Sequence, residues 1–168
     1  MLPMASRSCP GSEGDTVKEI RIEDLAPGLV TGVSVALPGD EAYKEAYFEW
    51  SAAPLVTTFK TRDVSGGTLK SWKSVPLFSQ IETHVDAEMF YFLSGTAIMI
   101  FADVRGGQPD MKSVKVVRIL AGTRIIIPEG KAHFVPVAEG DTPVSIVVVA
   151  PKMDAPRIPL TEPVLGVQ

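Results

Sequence analysis

The sequence contains a single cysteine, Cys9, so no disulfide can form within the chain. Long apolar runs are also missing, and stretches such as Val144 to Ala150 are far too short to cross a bilayer. Basic residues are not in excess, because 16 Lys and Arg stand against 20 Asp and Glu, giving a net charge of −4. These absences argue against a secreted disulfide-rich domain, a membrane-spanning chain and a nucleic-acid-binding protein.

The beginning of the chain has the composition of neither a targeting segment nor a folded element. Residues 1 to about 16 are small, polar and interrupted by Pro and Gly, without the continuous apolar stretch of a secretory signal. We therefore expect a disordered tail over 1–16 and a cytoplasmic protein, since nothing indicates an oxidising compartment. Residues 17–168 have the length of one domain, whose core is predicted over about 55–150.

Short apolar stretches separated by turn residues dominate the chain beyond Leu55. They are rich in Val, Ile and Phe, and turns such as Ser94-Gly95 and Ala121-Gly122 divide them. No long stretch shows the 3.6-residue apolar period of an amphipathic helix. The predicted strands are 56–60, 68–74, 78–84, 89–93, 96–101, 114–120, 123–127, 132–136 and 144–149. This spacing predicts an all-β fold, a sandwich or a barrel.

The segments that flank this core are less regular. A short strand is predicted around Ile20 and Ile22. Residues 43–50 are aromatic and acidic, and their pattern fits a strand or a short helix equally, so that choice stays open. The final segment, 151–168, carries four prolines and is predicted to be an extended arm lying over the barrel or over a neighbouring subunit.

The chain has only two histidines, and both occur in a strand–turn–strand context. A single histidine is more often a surface or core residue than a metal ligand, but two in the same context point to a shared site. If 78–84 is a strand, alternation puts Gln80, Glu82 and His84 on one face, and Glu88 can point back at them after a tight turn. His133 begins a return strand after the turn Pro128-Glu129-Gly130.

These two segments resemble the two sequence motifs of the cupin superfamily. The first motif, G-x5-H-x-H-x(3,4)-E-x6-G, is matched by Glu82-x-His84-x3-Glu88-x6-Gly95, and the second, G-x5-P-x-G-x2-H-x3-N, is matched by Gly122, Pro128, Gly130 and His133. The sequence departs from the motifs at three positions, where Glu82 replaces the first His, Val137 the final Asn and Pro76 the opening Gly. The resemblance implies a double-stranded β-helix, or jelly-roll barrel, with an irregular N-terminal segment.

The cupin resemblance also implies one divalent metal ion, held by Glu82, His84, Glu88 and His133. A carboxylate at the first ligand position shifts the preference towards harder ions such as Mn²⁺ or Fe²⁺, while Zn²⁺ and Ni²⁺ stay possible. Two imidazoles with one or two carboxylates leave open positions on an octahedral ion for water or an oxygen substrate. An inert cupin that has lost its metal is the alternative.

Within the superfamily, the chain is similar to the ureidoglycolate lyase family, formerly called ureidoglycolate hydrolases. The matching features are Leu25-Ala26-Pro27-Gly28, Glu82-x-His84, Gln108-Pro109-Asp110, Gly122 and His133. The family's Tyr-His pair is replaced by Ile127-Pro128, its Trp before the last His by Ala132, and its Gln after Glu-x-His by Glu88. If activity follows the resemblance, the enzyme splits ureidoglycolate into glyoxylate and urea.

That reaction needs a base for the hydroxyl proton and a cation for the substrate carboxylate. Glu82 or Glu88 is the predicted base, although one carboxylate is not expected to serve as both base and metal ligand. Gln80 and Lys131 are the predicted substrate-binding residues for a small polar carboxylate-bearing molecule. The alternatives are a hydrogen bond from Gln80 to a neighbouring strand and a solvated loop position for Lys131.

Two further functions fit the same residues. One is an oxidoreductase or isomerase that uses Fe²⁺ or Mn²⁺ held by His84, Glu88 and His133. The other is a non-enzymatic cupin that binds a small ligand or packs in a larger assembly, because one scaffold hosts many functions. The resemblance implies a homodimer, and neither nucleic acid nor a membrane is expected as a partner.

Overall fold

The computed structural model describes residues 16–39, 42–51 and 55–168, and these ranges contain fourteen strands and no helix. Within them no helix is therefore long and apolar enough to cross a membrane. The strands are β1 (Lys18–Asp24), β2 (Ser34–Ala36), β3 (Ala42–Lys44), β4 (Glu49–Ser51), β5 (Val64–Ser71), β6 (Leu77–Glu82), β7 (Glu88–Ser94), β8 (Ala97–Arg105), β9 (Gln108–Ile119), β10 (Arg124–Ile127), β11 (Ala132–His133), β12 (Val137–Ala138), β13 (Val144–Pro151) and β14 (Arg157–Val167).

The larger sheet closes on itself. Its order is β11-β6-β14-β1-β9-β8-β12, and β11 also pairs with β8, so six strands form a ring. Two neighbouring pairs, β14–β1 and β1–β9, are parallel, and the other pairs of the ring are antiparallel. A closed ring leaves no free edge among its strands, which removes a route to edge-to-edge aggregation.

The smaller sheet has the order β2-β10-β7-β13-β5 and faces the β8–β9 side of the ring. β3 and β4 form a separate hairpin. Two apolar cores result, because side chains alternate along each strand. One core, here called the ring core, takes a residue from every ring strand: Ile22, Phe78, Ile81, Ile98, Ile100, Ala102, Val114, Val116, Ala132, Leu160 and Val164.

The other core, here called the inter-sheet core, lies between the ring and the smaller sheet. Its large members are Phe90 and Phe92 of β7, Met99 and Phe101 of β8, and residues of β9, β10 and β13. Both faces of β8 are therefore buried. Its even-numbered residues pack in the ring core, and its odd-numbered residues pack in the inter-sheet core. A strand buried on both faces reads as a continuous apolar run, and Ala97 to Ala102 is such a run.

Several predicted element boundaries differ from the structure. Residues 56–60 are not a strand, and Val56 is 90% exposed. β5 begins at Val64 rather than 68, because all eight of its residues pair with β13, and this pairing overrides the low strand propensity of Gly66 and Gly67. The return strand predicted over 132–136 is reduced to Ala132–His133. The predicted tail over 1–16 lies, apart from residue 16, outside the described residues.

The two segments left least certain by the sequence both form strands. Residues 43–50 belong to the β3–β4 hairpin. The C-terminal segment is extended, as predicted, but the prediction of an arm lying over the barrel is wrong. It forms β14, which is one of the six strands of the ring and pairs with β6 on one side and β1 on the other. Its prolines are tolerated because the ladder is irregular between Pro159 and Val164. The barrel thus extends beyond the predicted 55–150.

Gly95, the last glycine of the first motif, turns the chain between β7 and β8. Its φ of +72° lies in the left-handed region, and a Cβ there would meet the carbonyl oxygens of Pro143 and Thr142 at 2.7 and 2.8 Å. Both obstacles are backbone atoms, so they cannot move aside as a side chain would. The motif requires glycine here for packing and conformation together.

We predict that Gly95→Ala lowers the free energy of unfolding by about 3 kcal/mol, because conformational strain and a backbone clash add. Gly106→Ala is the matched control, since Gly106 also has a positive φ but nothing within 4 Å of its added Cβ. The control should cost about 1 kcal/mol. Urea denaturation at pH 7 measures both, and equal losses would contradict the role of the clash.

Arg118 of β9 joins three parts of the barrel through two ion pairs and one hydrogen bond. Its guanidinium donates hydrogen bonds to the Glu139 carboxylate at 2.7–3.0 Å, to Asp24 Oδ1 at 2.7 Å and to Gln168 Oε1 at 2.7 Å. The hydrogen bonds to Glu139 and Asp24 raise the pKa of Arg118. The hydrogen bonds from Arg118 also hold the pKa of Glu139 below its ordinary value.

A lowered carboxyl pKa gives stability that is present above the ordinary pKa and is lost as the pH falls through the folded-state value. We therefore predict that Glu139→Gln lowers the free energy of unfolding by about 1 kcal/mol at pH 7, and that the difference disappears in strong acid. The control Asp141→Asn removes an exposed pair with Lys73 and should change stability by less than about 0.5 kcal/mol. Urea unfolding across acid to neutral pH measures both, and a pH-independent difference for Glu139→Gln would refute the assignment.

Candidate metal centre

Glu82 and His84 reach the space between the two sheets from the end of β6. Glu82 is the last residue of β6 and lies opposite His133 of β11. Its neighbour Ile81 packs in the ring core, so alternation turns Glu82 to the other face. His84 follows in the loop to β7. Both side chains are largely buried, at 14% and 8% exposure.

His133 comes to the same place because β11 pairs with two strands at once. It lies opposite Glu82 of β6 and opposite Phe101 of β8. Ala132 packs in the ring core, and His133 therefore faces the inter-sheet core. There its ring lies 5.8 Å from the Phe90 ring, edge to face, and 6.3 Å from the Phe101 ring. The imidazole is fixed by packing, with 1% exposure.

Glu88 approaches from the smaller sheet. It is the first residue of β7, lies opposite Ile127, and shares the alternation of Phe90 and Phe92. Its Oε2 lies 3.0 Å from His133 Nε2 and 3.3 Å from His84 Nε2. One carboxylate oxygen thus lies between the two imidazoles, and the site bridges both sheets.

The structure brings all four predicted ligands together. Ligand atoms of Glu82, His84 and His133 lie within 4.8 Å of one another, a separation that could hold a metal ion. His84 Nε2 is 4.0 Å from Glu82 Oε1, and the two imidazole centroids are 5.3 Å apart. Glu88 makes the shorter contacts of the two carboxylates. The closest donor set is therefore His84, Glu88 and His133, with Glu82 beside it.

Three buried polar atoms of the cluster lack hydrogen bonds. Among the described residues, His84 Nδ1, His84 Nε2 and Glu88 Oε2 have no hydrogen-bond partner, although Glu88 Oε2 is within ion-pair distance of both imidazoles. Buried polar groups in proteins are nearly always satisfied, so His84 Nε2 and Glu88 Oε2, which lie 3.3 Å apart, call for an explanation. A cation bound between them would satisfy the carboxylate oxygen and one nitrogen of His84, and the donor types fit a divalent ion.

The orientation of His133 fits such a role. Its Nδ1 lies 3.3 Å from the Lys131 carbonyl oxygen. A carbonyl oxygen can only accept a hydrogen bond, so this contact requires the proton to be on Nδ1. A neutral imidazole then carries its lone pair on Nε2, the atom that faces Glu88. The main chain of Lys131 thus orients His133 for binding through Nε2.

The two predicted substrate-binding residues, Lys131 and Gln80, have different surroundings. Lys131 is not the solvated loop lysine of the alternative interpretation, because it is buried and its Nζ donates to Asp103 Oδ1 at 2.7 Å. Its charge is therefore already paired. Gln80 is half-buried opposite Pro159. Pairing with β14 is regular over Gln80, Ile81 and Glu82, and Ile81 packs in the ring core, so Gln80 shares the face of Glu82.

Asp86, a buried carboxylate in the loop between His84 and Glu88, was not among the predicted site residues. Its Oδ1 accepts a hydrogen bond from the Ala87 amide, and its Oδ2 accepts one from the Lys60 amide, both at 2.8 Å. The local signal was an aspartate in a turn, a residue type that commonly bonds nearby amides. Nothing in the sequence could identify Lys60 as the distant partner.

No protein-family model and no curated protein matches the sequence. Solved structures do resemble it. A dTDP sugar isomerase from Desulfovibrio desulfuricans superposes with a TM-score of 0.53 at 11% identity, covering 79% of this chain and 87% of that chain. A dTDP-4-dehydrorhamnose 3,5-epimerase from Elizabethkingia anophelis gives a TM-score of 0.51 at 16% identity, covering 75% and 73%.

Bacillus subtilis oxalate decarboxylase matches over 58% of this chain and 24% of its own, at 16% identity, but its TM-score of 0.42 is too low to support an argument. At such low identities the first two structures establish the fold alone. They agree with the closed all-β barrel. The chain adopts the cupin fold.

Proposed function

We propose that this cupin binds one divalent metal ion through His84, Glu88 and His133 and carries out proton transfer on a small oxygen-rich substrate. The observation that carries the proposal is the set of buried polar atoms without hydrogen bonds that converge between the two sheets. Burying a carboxylate without a compensating positive charge costs several kcal/mol, and a divalent cation between Glu88 and the two imidazoles would supply that charge.

The donor separations support an ion of ordinary size. Neighbouring ligands on an octahedral ion with bonds of about 2.1 Å lie roughly 3 Å apart. Glu88 Oε2 lies 3.0 Å from His133 Nε2 and 3.3 Å from His84 Nε2, close to that value. Glu82 Oε1, at 4.0 Å from His84 Nε2, is further away. Glu82 is therefore the carboxylate that we assign to proton transfer, because one carboxylate cannot readily serve as both ligand and base.

A bound ion would supply positive charge beside a substrate oxygen as negative charge develops there. The chain's own residues would do the rest. Glu82 takes a proton from the substrate and returns it, and the Phe90 and Phe101 rings keep water from the face of His133 that they cover. Because Lys131 is paired with Asp103, it is not a free cation for a substrate carboxylate.

The size of the available space favours a small substrate or one that reaches in from the surface. The inter-sheet core beneath the site is filled by large side chains, including Phe92 and Met99. Two adjoining surface clefts of about 620 and 740 Å³ border the loop after His84 and share Val85, Lys152 and Met153 as lining residues. A carboxylate-bearing molecule placed there would meet the Lys152 ammonium.

Isomerisation at a carbon next to a carbonyl group is the reaction type we favour. It needs only a base that removes a proton and returns it to the carbon, with a cation near the carbonyl oxygen. Two proteins that share the fold are a sugar isomerase and an epimerase, which agrees with this reaction type but does not extend to their substrates. Cleavage of ureidoglycolate is the second candidate, supported by the sequence resemblance around Glu82-x-His84.

We predict that the purified chain binds one equivalent of Mn²⁺ or Co²⁺, and that saturation at 100 times Kd stabilises it by about 2.7 kcal/mol. His84→Ala and Glu88→Gln should remove most of this stabilisation, because each deletes a close donor. Glu19→Gln, an exposed carboxylate in β1, is the control and should bind like the wild type. Calorimetry and thermal unfolding with and without metal measure the effect.

Retention of full metal-induced stabilisation in both site variants would refute the metal assignment. The variants are compared without metal by circular dichroism, so that loss of folding is not mistaken for loss of a ligand. His84 is the preferred histidine to change, because His133 is wholly enclosed in the core and its removal risks collapse of the barrel.

We predict that Glu82→Gln keeps metal affinity within about threefold of wild type but slows proton exchange by about 100-fold or more, because a positioned base contributes about that factor. Proton NMR in D₂O follows metal-dependent exchange at the acidic carbons of pyruvate and oxaloacetate. Release of glyoxylate from ureidoglycolate is followed separately. Loss of metal binding in Glu82→Gln would contradict the division of roles.

The three functions give different results in these assays. Exchange without glyoxylate release supports an isomerase, and glyoxylate release supports the lyase. Metal binding with neither reaction supports a cupin that only binds a ligand.

The formation of a homodimer also stays a prediction. Exposed aromatic side chains on the β3–β4 hairpin, such as Tyr47 and Trp50, offer a surface for it, and light scattering at micromolar concentration tests it.

A further inference from the structure

The segment before β5 contacts both turns that carry the candidate metal ligands. Residues 55–63 form no strand, but the Lys60 amide donates a hydrogen bond to Asp86 Oδ2 at 2.8 Å. The Lys60 ammonium pairs with the Glu129 carboxylate. Asp86 lies in the β6–β7 loop and Glu129 in the β10–β11 turn. One residue therefore connects the two motif segments from outside.

The two turns also contact each other directly. The Gly130 amide donates a hydrogen bond to the His84 carbonyl oxygen at 2.9 Å. Gly130 has a φ of +72°, which lets the turn direct its amide at His84. Three segments far apart in sequence, at residues 60, 84–88 and 129–130, are thus joined pairwise. We call the contacts among Lys60, Asp86 and Glu129 the clamp.

The two outer contacts of the clamp differ greatly in expected strength. The Lys60–Glu129 pair is 62% and 53% exposed, and exposed ion pairs contribute little. Asp86 is 5% exposed, and its carboxylate accepts two backbone hydrogen bonds, from Lys60 and Ala87. Charge-assisted bonds to a buried carboxylate are about twice as strong as neutral ones. The clamp therefore depends on Asp86 and on the backbone of Lys60, not on the lysine side chain.

We propose that Asp86 is a positioning residue for the metal centre. By fixing the loop between His84 and Glu88 to the Lys60 amide, it keeps these two donors aligned with His133, which follows the second turn. The proposal rests on the proposed function of these residues as metal ligands. In this role Asp86 does not bind the metal itself, and it acts through the loop that it holds.

Metal affinity and the absorption spectrum of bound Co²⁺ test the proposal. Asp86→Ala should weaken Co²⁺ binding by about tenfold, as is typical when groups that orient metal ligands are removed, and should change the d–d bands at saturation. Asp86→Asn keeps one acceptor oxygen, so its affinity for Co²⁺ should lie between that of the wild type and that of Asp86→Ala. Lower global stability alone would reduce occupancy but leave the spectrum of the bound form unchanged.

Variants of Lys60 separate the backbone contact from the side chain. Lys60→Ala keeps the amide, so it should bind Co²⁺ like the wild type. Lys60→Pro removes the amide hydrogen and should resemble Asp86→Ala. Because both changes break the same bond, the double variant should be no weaker than either alone. Wild-type affinity and spectrum in Asp86→Ala, or fully additive losses in the double variant, would overturn the proposal.

Hydrogen exchange of the metal-free protein keeps this test independent of metal binding. If Asp86 holds the two turns together, the Gly130 amide should exchange at least about tenfold faster in Asp86→Ala than in the wild type or in Lys60→Ala. A wild type that binds no Co²⁺ would refute the proposed function. The role of Asp86 in the clamp would then be tested by the exchange rate of the Gly130 amide alone. Unchanged exchange at Gly130 would overturn the clamp whatever the metal result.

Discussion

The architecture depends on the double pairing of β11, a strand of only two residues. Ala132 and His133 pair with β8 on one side, and His133 pairs with Glu82 of β6 on the other, which closes the six-strand ring. Alternation then sends Ala132 into the ring core and His133 into the inter-sheet core. The contact that closes the barrel is therefore the same one that places a second imidazole opposite the first motif. A shift of one residue in this register would exchange the two side chains and destroy both core and site.

The site takes donors from both sheets, and this links chemistry to packing. Glu88 arrives on β7 of the smaller sheet, while Glu82 and His133 belong to the ring. A cation between them would join the two layers, so its binding should raise the free energy of unfolding of the whole barrel. Without a cation, polar atoms that lack hydrogen bonds stay buried at the layer boundary.

The fold class and the meeting of Glu82, His84, Glu88 and His133 were predicted from the resemblance of two segments to the cupin motifs. Strand alternation and turn residues, which are local properties, explained only the arrangement within each segment. Long-range pairing was not predictable in the same way. β5 contains a Gly-Gly pair, and β14 contains prolines, yet both are strands because a partner strand supplies their hydrogen bonds. The break in the ladder between β6 and β14, which separates Phe78 from Gln80, was not predictable either.

The three departures from the cupin motifs have different physical consequences. Val137, at the position of the final Asn, pairs with Ile98 and packs against the ring core, so it serves the core. Pro76, at the position of the opening Gly, accepts a hydrogen bond from the Gly166 amide through its carbonyl oxygen and helps to anchor β14. Only Glu82 changes the site itself. There a carboxylate stands in place of an imidazole. In the proposed division of roles, Glu88 completes the donor set, and Glu82 supplies a group suited to moving a proton.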